Sequence, residues 1–474
     1  MLRYLIKRVL LFLPTLFVIS LLAFGLSKIA PGDPVELITR GGLGAAEGGG
    51  DVRNRERVYL ETARFLGLDK PPFYFALSSA AYPDTLHRIV QKDRREMLQK
   101  LIIQYGNWQY IAAYNEQIQR LDVLLSNLPD TLTYQEQSIV RSNVRELYMH
   151  YKDSQIESVL QKVDHAMQRD SNLARVAKSA FDTLNARYEA VKKMATPGLR
   201  SIPDLKWYGF DNQYHHWIFN FLRGDFGVAY TDGRPVADKI KDALHWTLVI
   251  NGIAILLAYL LSIPLGVFSA VHKDTFGDRL VTVFLFVLYS LPVFWIATLL
   301  VIFLTTPEYG MDIFPTMGLG DLPKTAPFWD RFVERGAHLI LPVFCITYGS
   351  LAFISRQMRG GMLDVLQQDY IRTARAKGLG NRAIIWKHAF RNALFPIITL
   401  FASIFPAALA GSVVIEVIFN IPGMGKLTID AINGRDWPVV YTVLMFSAIL
   451  TMIGILIADI LYKLLDPRVS FSKK

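Results

Sequence analysis

Residues 369–396 read DYIRTARAKGLGNRAIIWKHAFRNALFP. Apolar runs long enough to cross a membrane lie on both sides, yet Arg372, Arg375, Lys377, Arg382, Lys387 and Arg391 all fall inside the stretch. That density of cations keeps it out of lipid. Asp369 is placed to cap a short helix, Ala374 and Ala376 favour that helix, and Gly378 and Gly380 stop it. Asn381 then caps a second helix through Ile384, Ile385 and Trp386, which runs on into the next apolar run. The pattern predicts a helix–turn–helix elbow standing out of the membrane. Its tip is built of small residues, which let another protein approach the backbone.

Outward from the elbow, apolar spans are expected at 246–271, 280–306, 339–355, 394–418 and 439–462, with another from Val9 to about Ala30. Each is near the ~20 residues that cross a bilayer. Pro264, Pro292, Pro342, Pro396 and Pro406 interrupt them, as is common in helices around a pathway. Across 474 residues, 52% are hydrophobic and 12% aromatic, which fits a membrane part joined to a water-soluble part better than a soluble enzyme. The formal net charge of +10 sits beside the apolar runs and not on one basic domain, so it points to membrane orientation and away from nucleic acid. Arg3, Lys7 and Arg8, the 272–279 loop (Lys273, Arg279), the 356–393 loop and the C-terminal Lys463, Arg468, Lys473 and Lys474 form the basic side. The 307–338 and 419–438 loops hold only Lys324, Arg331, Arg335, Lys426 and Arg435. Both termini are therefore expected in the cytoplasm, and a cysteine at Asn381 should react only from that side.

Between the first span and the rest lies water-soluble sequence. Residues 41–50, GGLGAAEGGG, read as a linker with no preceding strand, so not as a phosphate loop. Over 76–212, Leu98, Leu101, Ile102 and Tyr105 recur at helical spacing, as do Ile111, Tyr114, Ile118, Leu121 and Leu125. Thr133-x-x-Glu136 and Ser154-x-x-Glu157 read as capping boxes, and a last helix covers Asn172 to Met194. This reads as a solvated bundle or coiled hairpin, expected outside the membrane, where a cysteine at Asn115 should be open to labelling.

No catalytic site emerges. The chain has no Walker sequence and no nucleophile elbow, so ATP hydrolysis is not expected of it. His215 and His216 are adjacent, point different ways on a helix and lack a flanking carboxylate cluster, so no metal site is expected. The single cysteine, Cys345, lies in an apolar run and excludes an internal disulfide. Inside the spans, Glu416, Ser412 and Asn251 are candidates for a translocation pathway, because intramembrane polar groups often mark one. Asp459 reads instead as a helix-surface partner of Lys463.

Tyr370-x-x-Thr373-Ala374-Arg375-Ala376-Lys377-Gly378, followed by His388-Ala389-x-Arg391-Asn392-Ala393, resembles the cytoplasmic coupling loop of ABC-importer permeases, most of all the di- and oligopeptide branch that includes nickel transporters. The general loop has Glu-Ala-Ala where this chain has Arg372, Thr373 and Ala374, and Leu-Pro where it has Phe390-Arg391. The resemblance continues in Pro31-Gly32-Asp33-Pro34, in Phe65-Leu66-Gly67-Leu68-Asp69-Lys70-Pro71, in Trp217, Gly224-Asp225-Phe226-Gly227 and Arg234-Pro235-Val236. It extends to Gly411-Ser412-Val413-Val414-Ile415-Glu416, Pro422-Gly423-Met424-Gly425 and Leu465-Asp466-Pro467-Arg468. Residues 76–212 interrupt it as an insertion, between a first part at 1–75 and a permease core at 213–474.

The resemblance implies an all-α polytopic protein with six transmembrane helices of the type I importer kind and a helical extracytoplasmic insertion, in a prokaryotic cytoplasmic membrane. It further implies that Asp369, Tyr370, Arg372, Thr373, Ala374, Arg375, Ala376, Lys377, Gly378, Leu379 and Gly380 contact an ATPase. The implied partners are two ATPase subunits holding ATP and magnesium, a second homologous permease and an external peptide-binding protein. This chain itself would bind no cofactor. The alternatives are a nickel importer permease and, in another class, a membrane sensor with an external ligand-binding domain.

Overall fold

The computed structural model describes residues 2–29, 33–40, 52–126, 134–323, 325–409 and 411–465. The 41–50 linker, the Pro31-Gly32 turn, the Thr133 capping box, Lys324 and the ending from Asp466 onward lie outside these residues. Two compact units form: Asp33–Arg223, and Met1–Gly32 with Gly224–Lys474.

The chain opens on α1 (Leu2–Ile29), whose Leu10, Leu13, Leu22 and Leu26 face outward while Ser20, Ala23 and Phe24 are buried against its own unit. In the Asp33–Arg223 unit, α2 (Pro34–Arg40) and α3 (Val52–Phe65) are joined through Asp33, which accepts the Val35 N–H at 2.9 Å and the Tyr59 hydroxyl at 2.5 Å. A bundle follows: α4 (Lys92–Tyr105), α5 (Trp108–Ser126), α6 (Tyr134–Glu146), α7 (Asp153–Arg169) and α8 (Ser171–Lys193). The helical periodicity identified its core. Leu98, Leu101, Ile102, Ile111, Ile118, Leu121 and Leu125 are fully buried, joined by Val163, Phe181 and Leu184.

Two local expectations fail here. Ser154 does not cap α7, which starts at Asp153 after Lys152. Asp153 turns inward, where its carboxylate accepts the Tyr105 hydroxyl and the Tyr188 hydroxyl, the latter at 2.7 Å. Asn115 is buried and accepts Arg94 Nε at 2.9 Å, so a cysteine there would be concealed. The cap of α8 is Asp170, which accepts the N–H groups of Asn172 and Leu173.

The bundle is closed at its base by a ribbon the sequence reading missed. Strands β1 (Phe75–Ser79) and β2 (Pro203–Trp207) pair antiparallel, with Phe75 opposite Trp207 and Ser79 opposite Pro203. Beyond it, α9 (Gln213–Leu222) is capped by Asn212, which accepts the His215 N–H at 2.8 Å.

The other unit continues with α10 (Val236–Val271), α11 (Phe276–Ser290), α12 (Val293–Thr305) and α13 (Phe328–Leu366). It then runs through α14 (Asp369–Ala376), α15 (Asn381–Ala383), a π-helical segment (Ile384–Ala389), α16 (Phe390–Leu409), α17 (Val413–Ile418), α18 (Met424–Asn433) and α19 (Trp437–Leu465). Among the described residues, four helices are long and apolar enough to cross a membrane: Ile6–Ile29, Val236–Val271, Phe328–Leu366 and Trp437–Ile460. The helices α11 and α12 meet the same criterion only together, bent by 88°, and count as a fifth if the pair is one span.

The expected span 280–306 is thus broken at Pro292, because a residue before proline, here Leu291, prefers extended backbone. The expected span 394–418 is also divided: α16 ends at Leu409, and α17 is a separate short helix. By contrast, α10 and α13 run through Pro264 and Pro342 without ending, and α16 contains Pro396 and Pro406. Asp459 is paired with Arg8 of α1 at 3.1 Å; the Lys463 side chain lies outside those described. Small residues let α10 and α13 pack closely, with Ala254, Ala258 and Ser262 buried, and Thr347 Oγ1 donating to the Ala254 carbonyl at 3.3 Å.

Candidate coupling elbow and translocation pathway

The elbow is built from its buried side outward. Ile371, Ala374, Ile384 and Ala389 are buried with Met358 and Met362 of α13 and Val267 and Ala270 of α10. They hold α14 against the ends of the two longest helices. Arg372, Thr373, Arg375, Ala376, Lys377, Gly378, Leu379 and Gly380 remain exposed, as do Asp369 and Tyr370. Of the sequence-predicted contact residues, only Ala374 is therefore turned inward.

Capping differs from expectation at both starts. Gln368 precedes α14 and Gly380 precedes α15, so Asp369 and Asn381 are first helical residues and neither side chain caps. Asp369 still sits where a carboxylate favours the positive end of the helix. The stop is as read: Gly378 adopts φ +78°, donating to the Arg375 carbonyl at 3.0 Å, while the Leu379 N–H reaches the Ala374 carbonyl at 3.3 Å. These two bonds form a Schellman closure, which needs a left-handed residue at this position. The Asn392 amide donates to the Tyr370 hydroxyl at 2.8 Å, tying α14 to the foot of α16. Between them, Ile384–Ala389 is wound as a π-helix, a form concentrated at functional sites.

An ion pair with a buried carboxylate, not singled out from the sequence, braces the same end. Asp278 is buried and receives Arg359 Nη2 at 2.7 Å and Nε at 3.1 Å, the Asp274 N–H at 3.0 Å and the Ser269 hydroxyl. The bidentate fork joins the α10–α11 turn to α13 just above the elbow. Thr275-x-x-Asp278 at the start of α11 was a legible capping signal, with Thr275 Oγ1 accepting the Asp278 N–H at 3.4 Å.

The pathway candidates separate into two roles. Asn251 and Ser412 line one cavity of about 220 Å³ with Ala254, Ile255, Ile346, Ser350, Ile404 and Gly411. Glu416 does not line it. Its carboxylate is 1% exposed and accepts four bonds, from Thr247 Oγ1 at 2.9 Å and from the N–H groups of Ser412 at 3.3 Å, Gly425 at 2.6 Å and Lys426 at 3.0 Å. A methyl group on Gly423 would lie 2.4 Å from Glu416 Cδ, so glycine is required for this approach. Glu416 thus fastens the turn at 419–423, and the start of α18 after it, to α17. Thr247, which no motif marked, extends the fastening to α10 by accepting the Met424 N–H at 2.8 Å.

A second buried carboxylate does similar work. Asp436 accepts the Tyr230 N–H at 2.9 Å and the Thr231 hydroxyl at 2.8 Å, locking the 224–235 segment to the start of α19. His215 and His216 diverge as expected: His215 Nδ1 lies 3.1 Å from the Tyr74 hydroxyl, and His216 Nε2 lies 2.8 Å from Asp211.

The family of binding-protein-dependent transport system inner membrane components matches residues 262–471. The oligopeptide transport system permease protein AppB of Bacillus subtilis (strain 168) is 41% identical over 260 residues, covering 55% of this chain and 80% of that protein. OppB, the oligopeptide transport system permease protein of Mycobacterium tuberculosis (strain ATCC 25618 / H37Rv), is 34% identical over 262 residues, with 55% and 80% covered. DppB, the dipeptide transport system permease protein of Escherichia coli (strain K12), is 34% identical over 276 residues, with 55% and 81% covered. The chain belongs to the family of binding-protein-dependent transport system inner membrane components, as a multi-pass membrane subunit.

Proposed function

We propose that this chain is the permease subunit of an ABC importer that passes di- and oligopeptides inward across the cytoplasmic membrane. The observation that carries the reading is the elbow, with an exposed basic tip and a buried base joined to α10, α13 and α16. Two partner ATPase subunits, which hold ATP and magnesium, press on Asp369–Gly380. A second, homologous permease completes the pathway, and an external binding protein delivers the peptide. Rigid-body displacement of α14 then moves α13 directly and α16 through the π-helical segment. Both termini and the elbow are cytoplasmic, and residues 76–212 form an extracytoplasmic insertion.

Peptide is favoured over nickel by the cavity lining. Asn251, Ser350 and Ser412 offer amide and hydroxyl groups among aliphatic side chains, which suit a peptide backbone better than a divalent cation. The names of the similar permeases support the same choice. The test is reconstitution of this chain with its ATPases, second permease and binding protein in proteoliposomes. Labelled di- and oligopeptides should accumulate with ATP, and nickel should not. Nickel uptake without peptide uptake would overturn the substrate. Orientation is read with Met149→Cys, at an exposed position, and Asn381→Cys. An impermeant thiol reagent outside cells should reach the first and miss the second.

A further inference from the structure

The two-stranded ribbon turns its apolar side outward. Directly opposed residues of an antiparallel pair share one face, which places Phe75 with Trp207 and Leu77 with Leu205 on a common side. Their exposures are 47%, 69%, 77% and 67%. The opposite face carries the polar groups, with Lys206 Nζ held by Asp84 and by the Tyr82 carbonyl, each at 2.6 Å. A ribbon obeying solvent alone would show Asp204 and Lys206 to water and hide the aromatic and aliphatic side chains. An outward cluster of this kind marks a surface made to be covered.

We propose that this ribbon face seats in the headgroup region of the outer leaflet of the bilayer. The inference rests on the extracytoplasmic reading of the insertion. Chain continuity favours lipid as the occupant. The unit that carries the ribbon follows the membrane helix α1 after Ile29 and leads into α10 at Val236, so short connections tether it to the membrane at both ends. The ribbon's ladder continues with the Tyr208 N–H donating to the Tyr74 carbonyl at 2.8 Å, and beside it the Phe73 ring stands 5.2 Å from the Tyr214 ring of α9, just before the second tether. At the end of α9, exposed Phe219 and Leu222 are followed by Arg223, whose guanidinium lies 4.1 Å from the Phe219 ring centre. Exposed aromatic and aliphatic side chains beside a cation have the composition of an interfacial anchor. The depth is limited by the backbone. Both strands have unpaired outer edges, which hydrocarbon would not tolerate but hydrated headgroups satisfy.

The experiment uses the full chain in lipid nanodiscs, with a nitroxide placed through Leu77→Cys, Leu205→Cys and, as the aqueous reference, Met149→Cys, all at exposed positions. Cys345 is buried, and the unsubstituted chain serves as the blank. Collision rates with oxygen and with a water-soluble nickel chelate are compared. At positions 77 and 205 the oxygen-to-chelate ratio should be several-fold higher than at 149. Equal ratios at all three would overturn the proposal, as would protection from both reagents at 77 and 205, which would mean a protein partner. The orientation reading is tested separately in sealed vesicles with an impermeant reductant. Loss of the Met149→Cys signal only after the vesicles are opened would overturn that reading while leaving lipid contact itself measurable.

Discussion

Thr247 Oγ1 donates to Glu416 at 2.9 Å and accepts the Met424 N–H at 2.8 Å. One hydroxyl on α10 therefore joins the carboxylate of α17 to the start of α18. The N–H groups of Gly425 and Lys426, in the first turn of α18, also end on Glu416. An intramembrane acid that suggested a pathway group is instead fully occupied by donors.

Glu416→Ala should leave those donors without an acceptor, at about 1–3 kcal/mol each. Thermal unfolding of the detergent-solubilised chain should fall by a margin that far exceeds that of Thr247→Ser, which keeps the hydroxyl. Thr247→Val should lie between them. A Glu416→Ala chain of unchanged stability but altered peptide selectivity would return Glu416 to the pathway.

At the elbow, Gly378→Val forces a β-branched side chain into φ +78°, at a cost of about 1–2 kcal/mol. Membrane insertion should be unaffected, while ATP hydrolysis stimulated by the binding protein should drop in the assembled complex. Arg375→Ala should give a milder loss, since a rim charge is worth about 1 kcal/mol or less. Unchanged stimulation in Gly378→Val would take the elbow tip out of the mechanism.

The Asp278–Arg359 fork braces α13 just above the elbow, so breaking it should act on both stability and coupling. Asp278→Asn should cost less than the about 3–5 kcal/mol of breaking a fully buried pair, because the Arg359 side chain is 31% exposed and keeps part of its hydration. In a double-mutant cycle with Arg359→Met, the two losses should be strongly non-additive. Additive losses would show that the pair is not a working unit.

Residues 75–207, expressed alone, should form a soluble helical domain by circular dichroism, closed by the Phe75–Trp207 ladder. Burial, then hydrogen bonding to Asp153, pushes the Tyr105 and Tyr188 phenols above their usual range. A raised folded value means that the stabilisation is whole below the unfolded value of about 10 and is lost as pH climbs past it. The helical signal should therefore hold at neutral pH and collapse in strong alkali, and Tyr188→Phe should blunt that dependence. A disordered fragment at pH 7 would make residues 76–212 part of the permease fold.

By itself, the sequence determined whatever rests on period and local stereochemistry. Helical spacing named Leu98, Leu101, Ile102, Ile111 and Leu121 as core, because a helix must bury its apolar stripe wherever its neighbours lie. Gly378 announced the end of α14, because few other residues accept its backbone conformation. Tertiary structure decided which donor met which acceptor. Glu416 and Thr247 are 169 residues apart, and Asp278 and Arg359 are 81 apart, so no local pattern carries either pairing. It also drew Asp153 inward to two tyrosines, leaving the Ser154 capping box unused. Strands β1 and β2 are five residues each and lie on either side of the whole bundle. Their pairing is fixed only when the bundle's packing brings Phe75 opposite Trp207, which is why neither reads as a strand alone.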